Sequence, residues 1–218
     1  MVELERYVTV SWSYVDSLCR KVAFQIIEDG YKPELIVALA KGGWFAARVI
    51  RDYLGCGRLV SLELDNPKFV RCNSALVVDD LINTGRTMSN ALKLIKAKHT
   101  KTSALLMLQN SEFIPDYLGD YLLDYTWVVF PWNFVEDLSE LILKLLKLKV
   151  ELDQWELKSL LFTEFGLDPL NLEISHQGKL DDVLKVLELR GEIKRIEKSG
   201  RIYFQSLRRL RKGGDELG

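Results

Sequence analysis

Residues Ala75–Thr87 read Ala-Leu-Val-Val-Asp-Asp-Leu-Ile-Asn-Thr-Gly-Arg-Thr, and no other stretch limits the fold as much. Ala75, Leu76, Val77 and Val78 form a short continuous apolar run, which suits a strand buried on both faces of a parallel sheet. Two carboxylates, Asp79 and Asp80, follow at the end of that run. Beyond Thr84, Gly85, Arg86 and Thr87, the spacing of Met88, Ala91, Leu92 and Ile95 places them on one face of a helix. A strand–loop–helix unit of this kind leaves free N–H groups and the positive end of the helix dipole at the loop, where an anion is favoured. Threonine hydroxyls add hydrogen bonds to phosphate oxygens. The two carboxylates have no business beside a phosphate unless they face something else, and vicinal sugar hydroxyls meet that need. The ligand suggested is a ribose 5-phosphate moiety. Any one of these residues is explained as well by capping of a plain strand-to-helix turn. The ordered set is what points to a ligand.

The same pattern occurs earlier. Leu35–Leu39 is a second buried strand, followed by Ala40, Lys41, Gly42 and Gly43 and by a helix through Ala46, Ala47, Ile50 and Leu54. Two glycines let backbone N–H groups approach an anion closely, and Lys41 brings a positive charge to the same point. Val15, Leu18, Cys19, Val22, Ala23 and Ile26 recur at helical spacing between Trp12 and Ile27. Leu59–Leu64 alternates like an edge strand, and Ser103–Leu108 and Thr126–Phe130 supply two more, with Pro115 and Gly119 marking a loop between them. The expected fold is α/β: a doubly wound, mainly parallel five-stranded sheet in order 2-1-3-4-5. The two loops would then sit on adjacent strands at the switch point, where ligands bind.

A chain of 218 residues with 48% hydrophobic content and a net charge of −1 is globular, large enough for one domain and a smaller second one. No apolar run approaches the ~20 residues a membrane-spanning helix needs, and the first residues lack a signal-peptide pattern, so a cytoplasmic protein without membrane contact is expected. Cys19, Cys56 and Cys72 are widely spaced, and His99 and His176 stand alone, so no metal site is expected from the protein's own side chains.

Val78-Asp79-Asp80 followed by Thr84-Gly85-Arg86-Thr87 resembles the phosphoribosyl-diphosphate signature of type I phosphoribosyltransferases, and the likeness extends over roughly the first two-thirds of the chain. The resemblance implies that Asp79 and Asp80 bind the ribose hydroxyls and that Asn83, Thr84, Gly85, Arg86 and Thr87 wrap the 5′-phosphate. It implies a pyrophosphate loop at Ala40, Lys41 and Gly42, with a cis peptide at Ala40–Lys41, and catalytic roles for Asp79, Asp80 and Lys41. It further implies Mg²⁺ held mainly by substrate pyrophosphate and ribose oxygens, and a homodimer. In the family a mobile hood covers the reacting sugar. Here the matching segment, Asp65–Ser74, is short, and Lys68 and Arg71 are its only cations.

Trp127-Val128-Val129-Phe130-Pro131-Trp132-Asn133 is similar to the base-binding segment of 6-oxopurine phosphoribosyltransferases, a tryptophan followed shortly by Pro-Trp-Asp. By that resemblance Trp127 stacks a purine, Val128 offers backbone groups to its edge, and Asn133 replaces the family's aspartate. Two departures bear on which purine. The lysine that meets O6 in the 6-oxopurine enzymes is missing, and Gln109-Asn110 stands in that region. The signature loop carries Asn83 where those enzymes place an acid able to take the N7 proton. An amide carbonyl accepts from a 6-amino group, which an ammonium cannot do. These changes favour adenine over hypoxanthine or guanine, as in the crenarchaeal adenine enzymes, which this chain resembles.

The resemblance stops near Asp137, giving expected domains of 1–137 (catalytic) and 138–218 (small and mostly helical). Helices are expected near Leu138–Leu148, Gln154–Phe165 and Lys179–Arg190, and Ile193–Glu197 with Arg201–Gln205 suits a β-hairpin. Helices followed by a hairpin also describe a winged-helix DNA-binding module. Arg190, Lys194, Arg195, Lys198, Arg201, Arg208, Arg209, Arg211 and Lys212 would serve phosphate contacts, which keeps a DNA-binding regulator as an alternative. Glu173, Asp181, Asp182 and Glu188 on the candidate helices argue against it, and packing is the expected role.

Overall fold

The computed structural model describes residues 6–122 and 126–207. In chain order it contains β1 (Arg6–Thr9), α1 (Trp12–Glu28), β2 (Leu35–Leu39), α2 (Gly43–Leu54), β3 (Leu59–Leu62), β4 (Val70–Arg71), β5 (Ser74–Ile82), α3 (Arg86–Leu94), β6 (Ile95–Lys96), β7 (His99–Leu108) and β8 (Tyr117–Leu122). There follow β9 (Thr126–Val129), α4 (Phe134–Leu148), β10 (Leu152–Asp153), α5 (Gln154–Phe165), α6 (Pro169–Ser175), α7 (Lys179–Leu189), β11 (Ile193–Lys198) and β12 (Arg201–Ser206).

Trp12–Thr126 forms one unit, built on a five-stranded parallel sheet in the order β3-β2-β5-β7-β8. Counted along the chain, this is the expected order 2-1-3-4-5. The central strands are sealed on both sides: β2 is buried at every position, and Ala75, Leu76, Val77 and Val78 of β5 are inaccessible to solvent. Leu35, Val37, Ala75, Val77 and Ala104 pack with Met88 and Ala91 of α3. The helices α1 and α2 pack against each other and against the sheet, with Cys19, Val22, Ile26, Ala46, Ala47 and Ile50 all buried. This covering of both faces is why β2 and β5 read as unbroken apolar runs.

The fifth strand is not the expected one. Tyr117–Leu122 pairs with β7, whereas Thr126–Val129 joins β1 in a separate two-stranded sheet. Gly119 reads as a loop residue but is a close-approach glycine: a Cβ there would lie 2.3 Å from the Leu105 carbonyl oxygen. Asp120 sits beside it and accepts a hydrogen bond from the Tyr14 hydroxyl at 3.0 Å, which gives an edge-strand acid a partner. The signature strand is also longer than expected, so that Asp79, Asp80, Leu81 and Ile82 belong to β5 and the loop shrinks to Asn83–Gly85. Within the Asp65–Ser74 segment, Val70 and Arg71 pair in parallel with Ile95 and Lys96.

The other unit comprises the segments on either side, ending at Ser11 and resuming at Trp127. The compact units therefore divide at 126/127, before the expected domain boundary at 137/138. Two physical causes account for it: β1 pairs with β9, with the Val10 N–H donating to the Val129 carbonyl, and α4 belongs to the core of the later elements. Leu138, Leu141, Ile142 and Leu145 of α4 are buried with Leu157, Leu161, Val183, Leu187 and Phe204. Helix α5 begins with a reciprocal cap between Asp153 and Glu156. Helix α6 starts at Asp168-Pro169: Asp168 is its N-cap and Pro169 occupies its first turn. The strand order β10-β12-β11, with α5, α6 and α7 between β10 and β11, has the topology of a winged helix. Asp181 and Asp182 lie exposed in the first turn of α7, and two of the hairpin cations pair with acids, Lys198 with Glu151 and Arg201 with Asp153. Arg208, Arg209, Arg211 and Lys212 lie outside the described residues. No described helix is long and apolar enough to cross a membrane.

Candidate active site

The two glycine loops meet at the carboxyl ends of β2 and β5, which are neighbours in the sheet. The Ala40–Lys41 peptide is cis, as the resemblance implies. Gly42 has ordinary helical angles (φ −66°, ψ −41°), so its lack of a side chain serves space and not conformation. A Cβ on Gly42 would fall 1.7 Å from Oδ2 of Asp80. Gly43 lies as close to the backbone of β5: its Cβ would be 2.5 Å from the Val78 carbonyl oxygen. The loop carrying Lys41 is thereby pressed against the strand carrying the paired acids. Lys41 itself is exposed at the start of α2, where the Lys41 and Gly42 carbonyls accept from Trp44 and Phe45 N–H.

Asp79 is 7% exposed and Asp80 half-buried. One Asp79 carboxylate oxygen, Oδ1, accepts from the Asp80 N–H at 3.0 Å, and Oδ1 of Asp80 accepts from the Leu81 N–H at 3.0 Å. Burial raises the Asp79 carboxyl well above the usual carboxylate range, and the Asp80 charge adds to that shift. Two acids adjacent on one strand, one of them nearly sealed, are poorly solvated unless donors or a cation reach them.

The turn after β5 opens α3 with Gly85 in the left-handed conformation (φ 81°). The Ser89 N–H bonds to the Gly85 carbonyl, and the Arg86 N–H points to the Thr84 hydroxyl at 3.4 Å. Asn83, Thr84, Arg86 and Thr87 are exposed, so two hydroxyls, an amide and a guanidinium are all available at one helix N-terminus. Gly85 alone in this turn is buried, because Phe113 packs on it; a Cβ there would be 2.1 Å from the Phe113 Cβ. Phe113 carries no sequence signal, being a lone aromatic in a loop pinned by bonds between Ser111 and Phe113. Gln109 is exposed just past β7, two residues beyond the Ile82–Met107 pair, and its N–H donates to the Leu122 carbonyl. Asp79, Asp80, Lys41, Gly42, Thr84 and Gln109 thus all lie at one end of the same sheet.

Residues 11–137 match the phosphoribosyl transferase domain family. The chain belongs to that family. A xanthine-guanine phosphoribosyltransferase of Gluconobacter oxydans is 26% identical over 144 residues, which are 58% of this chain and 84% of that protein. Among solved structures, a purine phosphoribosyltransferase from Pyrococcus horikoshii is 27% identical, with 58% of this chain and 93% of that one covered at a TM-score of 0.49. A Neisseria gonorrhoeae protein solved with bound ppGpp shares the fold at 20% identity and a TM-score of 0.50, over 60% of this chain and 91% of its own. The family match ends within α4, so the elements from β10 onward lie outside it.

Trp127 and Val128 belong to the other unit. Trp127 is 59% exposed on β9, and Val128 beside it is buried. Asn133 is the N-cap of α4 without a side-chain cap bond.

Proposed function

We propose that this protein is a purine phosphoribosyltransferase, transferring the phosphoribosyl group from 5-phosphoribosyl 1-diphosphate to a base nitrogen with release of pyrophosphate. The observation that carries this reading is the contact between the Lys41–Gly43 loop and Asp80, which brings an anion loop and a pair of hydroxyl acceptors together beside a helix N-terminus. In this reading Asp79 and Asp80 take the ribose hydroxyls, Asn83 to Thr87 hold the 5′-phosphate, and Ala40, Lys41 and Gly42 bind the leaving pyrophosphate. Catalysis is then positioning plus charge support as the glycosidic bond breaks. Magnesium fits the donor chemistry. Asp79 and Asp80 are hard oxygen donors that could approach an ion carried mainly by substrate oxygens. When bound, it would neutralise diphosphate charge.

Adenine is the base we propose, because Asn83 cannot act as a base toward N7 and Gln109 offers a carbonyl to a 6-amino group. A 6-oxopurine is the second reading, favoured by the name of the Gluconobacter oxydans relative. Pyrophosphate release measured in parallel with adenine, hypoxanthine, guanine and xanthine decides. Adenine is expected to have the highest kcat/KM; faster turnover of guanine or xanthine would establish the second reading, and no release with any base would remove both. DNA binding forms no part of the proposal, since the first turn of α7 presents Asp181 and Asp182.

Gly85 supplies a separate check on the phosphate loop. Gly85→Ala forces a Cβ into both a left-handed backbone, at a cost of roughly 1–2 kcal/mol, and Phe113. The KM for 5-phosphoribosyl 1-diphosphate is expected to rise about 10-fold or more. Adding Phe113→Ala should not rescue it, because alanine keeps the Cβ that clashes. An unchanged KM in Gly85→Ala would remove the loop from the phosphate site.

A further inference from the structure

The loop that follows β7 has one side chain turned the opposite way from its neighbours. Glu112 and Ile114 are exposed, Ile114 by 77%, whereas Phe113 between them is half-buried and packs against the core to which Ile82, Met88 and Met107 belong. The backbone on either side of the ring is pinned. The Ser111 N–H donates to the Leu108 carbonyl at 3.0 Å. The Ser111 hydroxyl accepts from the Phe113 N–H at 3.2 Å and donates to the Phe113 carbonyl at 3.0 Å.

Phe113 reaches Gly85. From the point where a Gly85 Cβ would stand, the Phe113 Cβ is 2.1 Å away, its Cγ 3.1 Å and its Cα 3.3 Å. The root of the side chain therefore lies against the turn while the ring is anchored in the core. Both residues lie within the Trp12–Thr126 unit.

The turn needs glycine for its φ of 81°, and glycine is also the residue with the most freedom to leave such a conformation. Helix α3 holds one end of it, through the Ser89 N–H on the Gly85 carbonyl at 2.9 Å. Asn83, Thr84, Arg86 and Thr87 are exposed, and the bond from the Arg86 N–H to the Thr84 hydroxyl is long at 3.4 Å, so the turn's own side chains do little to fix it. Phe113 fills the remaining side. A helix N-terminus binds an anion best when its N–H groups already point at it, because ordering them on binding costs affinity.

We propose that Phe113 is a positioning residue, a buttress that holds Gly85, and with it the N–H groups of the turn, in the geometry that receives a sugar phosphate. This rests on the proposed function, in which Asn83 to Thr87 hold the 5′-phosphate. The phosphoribosyl-diphosphate signature spans Val78–Thr87, so the buttress is supplied from outside the motif it supports.

The test uses the full-length protein and two probes followed by nuclear magnetic resonance titration: ribose 5-phosphate for the turn and inorganic pyrophosphate for the Lys41 loop. Phe113→Ala loses the anchoring ring and the Cγ against Gly85, and is expected to weaken ribose 5-phosphate about 10-fold while pyrophosphate stays within about twofold of wild type. In turnover, the KM for 5-phosphoribosyl 1-diphosphate should rise by the same factor. The KM for the base should not move, although Gln109 opens the same loop; a general collapse of that loop would move both. Phe113→Leu keeps Cγ and an apolar anchor, and should restore binding. If Phe113→Ala does not fold, Ser111→Ala decides, since losing the pins is expected to weaken ribose 5-phosphate about fivefold with pyrophosphate unaffected. Wild-type binding of ribose 5-phosphate in the deciding variant overturns the inference, and so does equal weakening of both probes, which would make Phe113 an ordinary core residue. If the wild-type protein itself binds no ribose 5-phosphate, the phosphate turn is wrong and the proposed function falls together with its buttress.

Discussion

Gly42→Ala is expected to lower kcat by on the order of 100-fold while leaving the protein folded, which is the loss that a misplacement of ~1 Å in a reacting geometry produces. The backbone at this position is already helical, so alanine is conformationally acceptable, and nothing but space is at stake. That space is occupied by Asp80: the new methyl would lie 1.7 Å from Oδ2 and within 2.3 Å of the carboxyl carbon. A carboxylate is the mobile end of a side chain and will swing away, taking with it the acceptor that the proposed chemistry needs. Circular dichroism and the melting temperature should therefore stay close to wild type. The double variant Gly42→Ala with Asp80→Ala should be no less active than Asp80→Ala alone, because the two changes destroy one interaction. Normal turnover in Gly42→Ala would mean that Asp80 has no part in the reaction.

Asp79→Asn is expected to separate stability from activity in opposite directions. The wild-type carboxyl is raised by burial first and by the neighbouring Asp80 charge second. The folded protein therefore holds a proton at pH values where the unfolded chain has already lost it, and stability falls as pH rises from the ordinary carboxylate range through the raised folded value. Replacing the ionisable group should raise the melting temperature at neutral pH and flatten its decline above the ordinary carboxylate range. Activity should go the other way. Charge-assisted hydrogen bonds to ribose hydroxyls contribute roughly 1.5–3 kcal/mol each, so kcat/KM is expected to drop about 10- to 100-fold per bond lost. A variant that is both less stable and fully active would show that Asp79 is a structural acid.

Much of this was legible from the chain, and the exceptions have physical causes. The strands β2 and β5 announce themselves because a parallel strand sealed on both faces must be apolar throughout, and their loops because glycine, lysine and acid types have few other reasons to alternate there. The edge of the sheet was not legible. Tyr117–Leu122 mixes Tyr, Leu, Gly and Asp, since one side of an edge strand is free to be polar and Gly119 answers to a close backbone, while Thr126–Val129 looks like a core strand but is used elsewhere. Periodicity cannot assign a partner to a strand, and only the contact between β1 and β9 shows where the unit boundary falls. Within the site, the residues that touch the expected ligand carried family signatures, whereas the residues that hold them did not. Phe113 behind Gly85 is a single residue without pattern, and its meaning depends on what the fold brings within reach of it.

The pairing of β1 with β9 also orders events in time. Strand β1 emerges from the ribosome before its partner β9, while everything between Trp12 and Thr126 is still to be made. At about 5–20 residues per second, that wait is on the order of ten seconds. The parallel sheet has all five of its strands in hand by Leu122, before β9 has been translated. A released fragment that ends just after β8 should therefore already acquire the protease resistance of the five-stranded unit, with Arg6–Thr9 still open to cleavage.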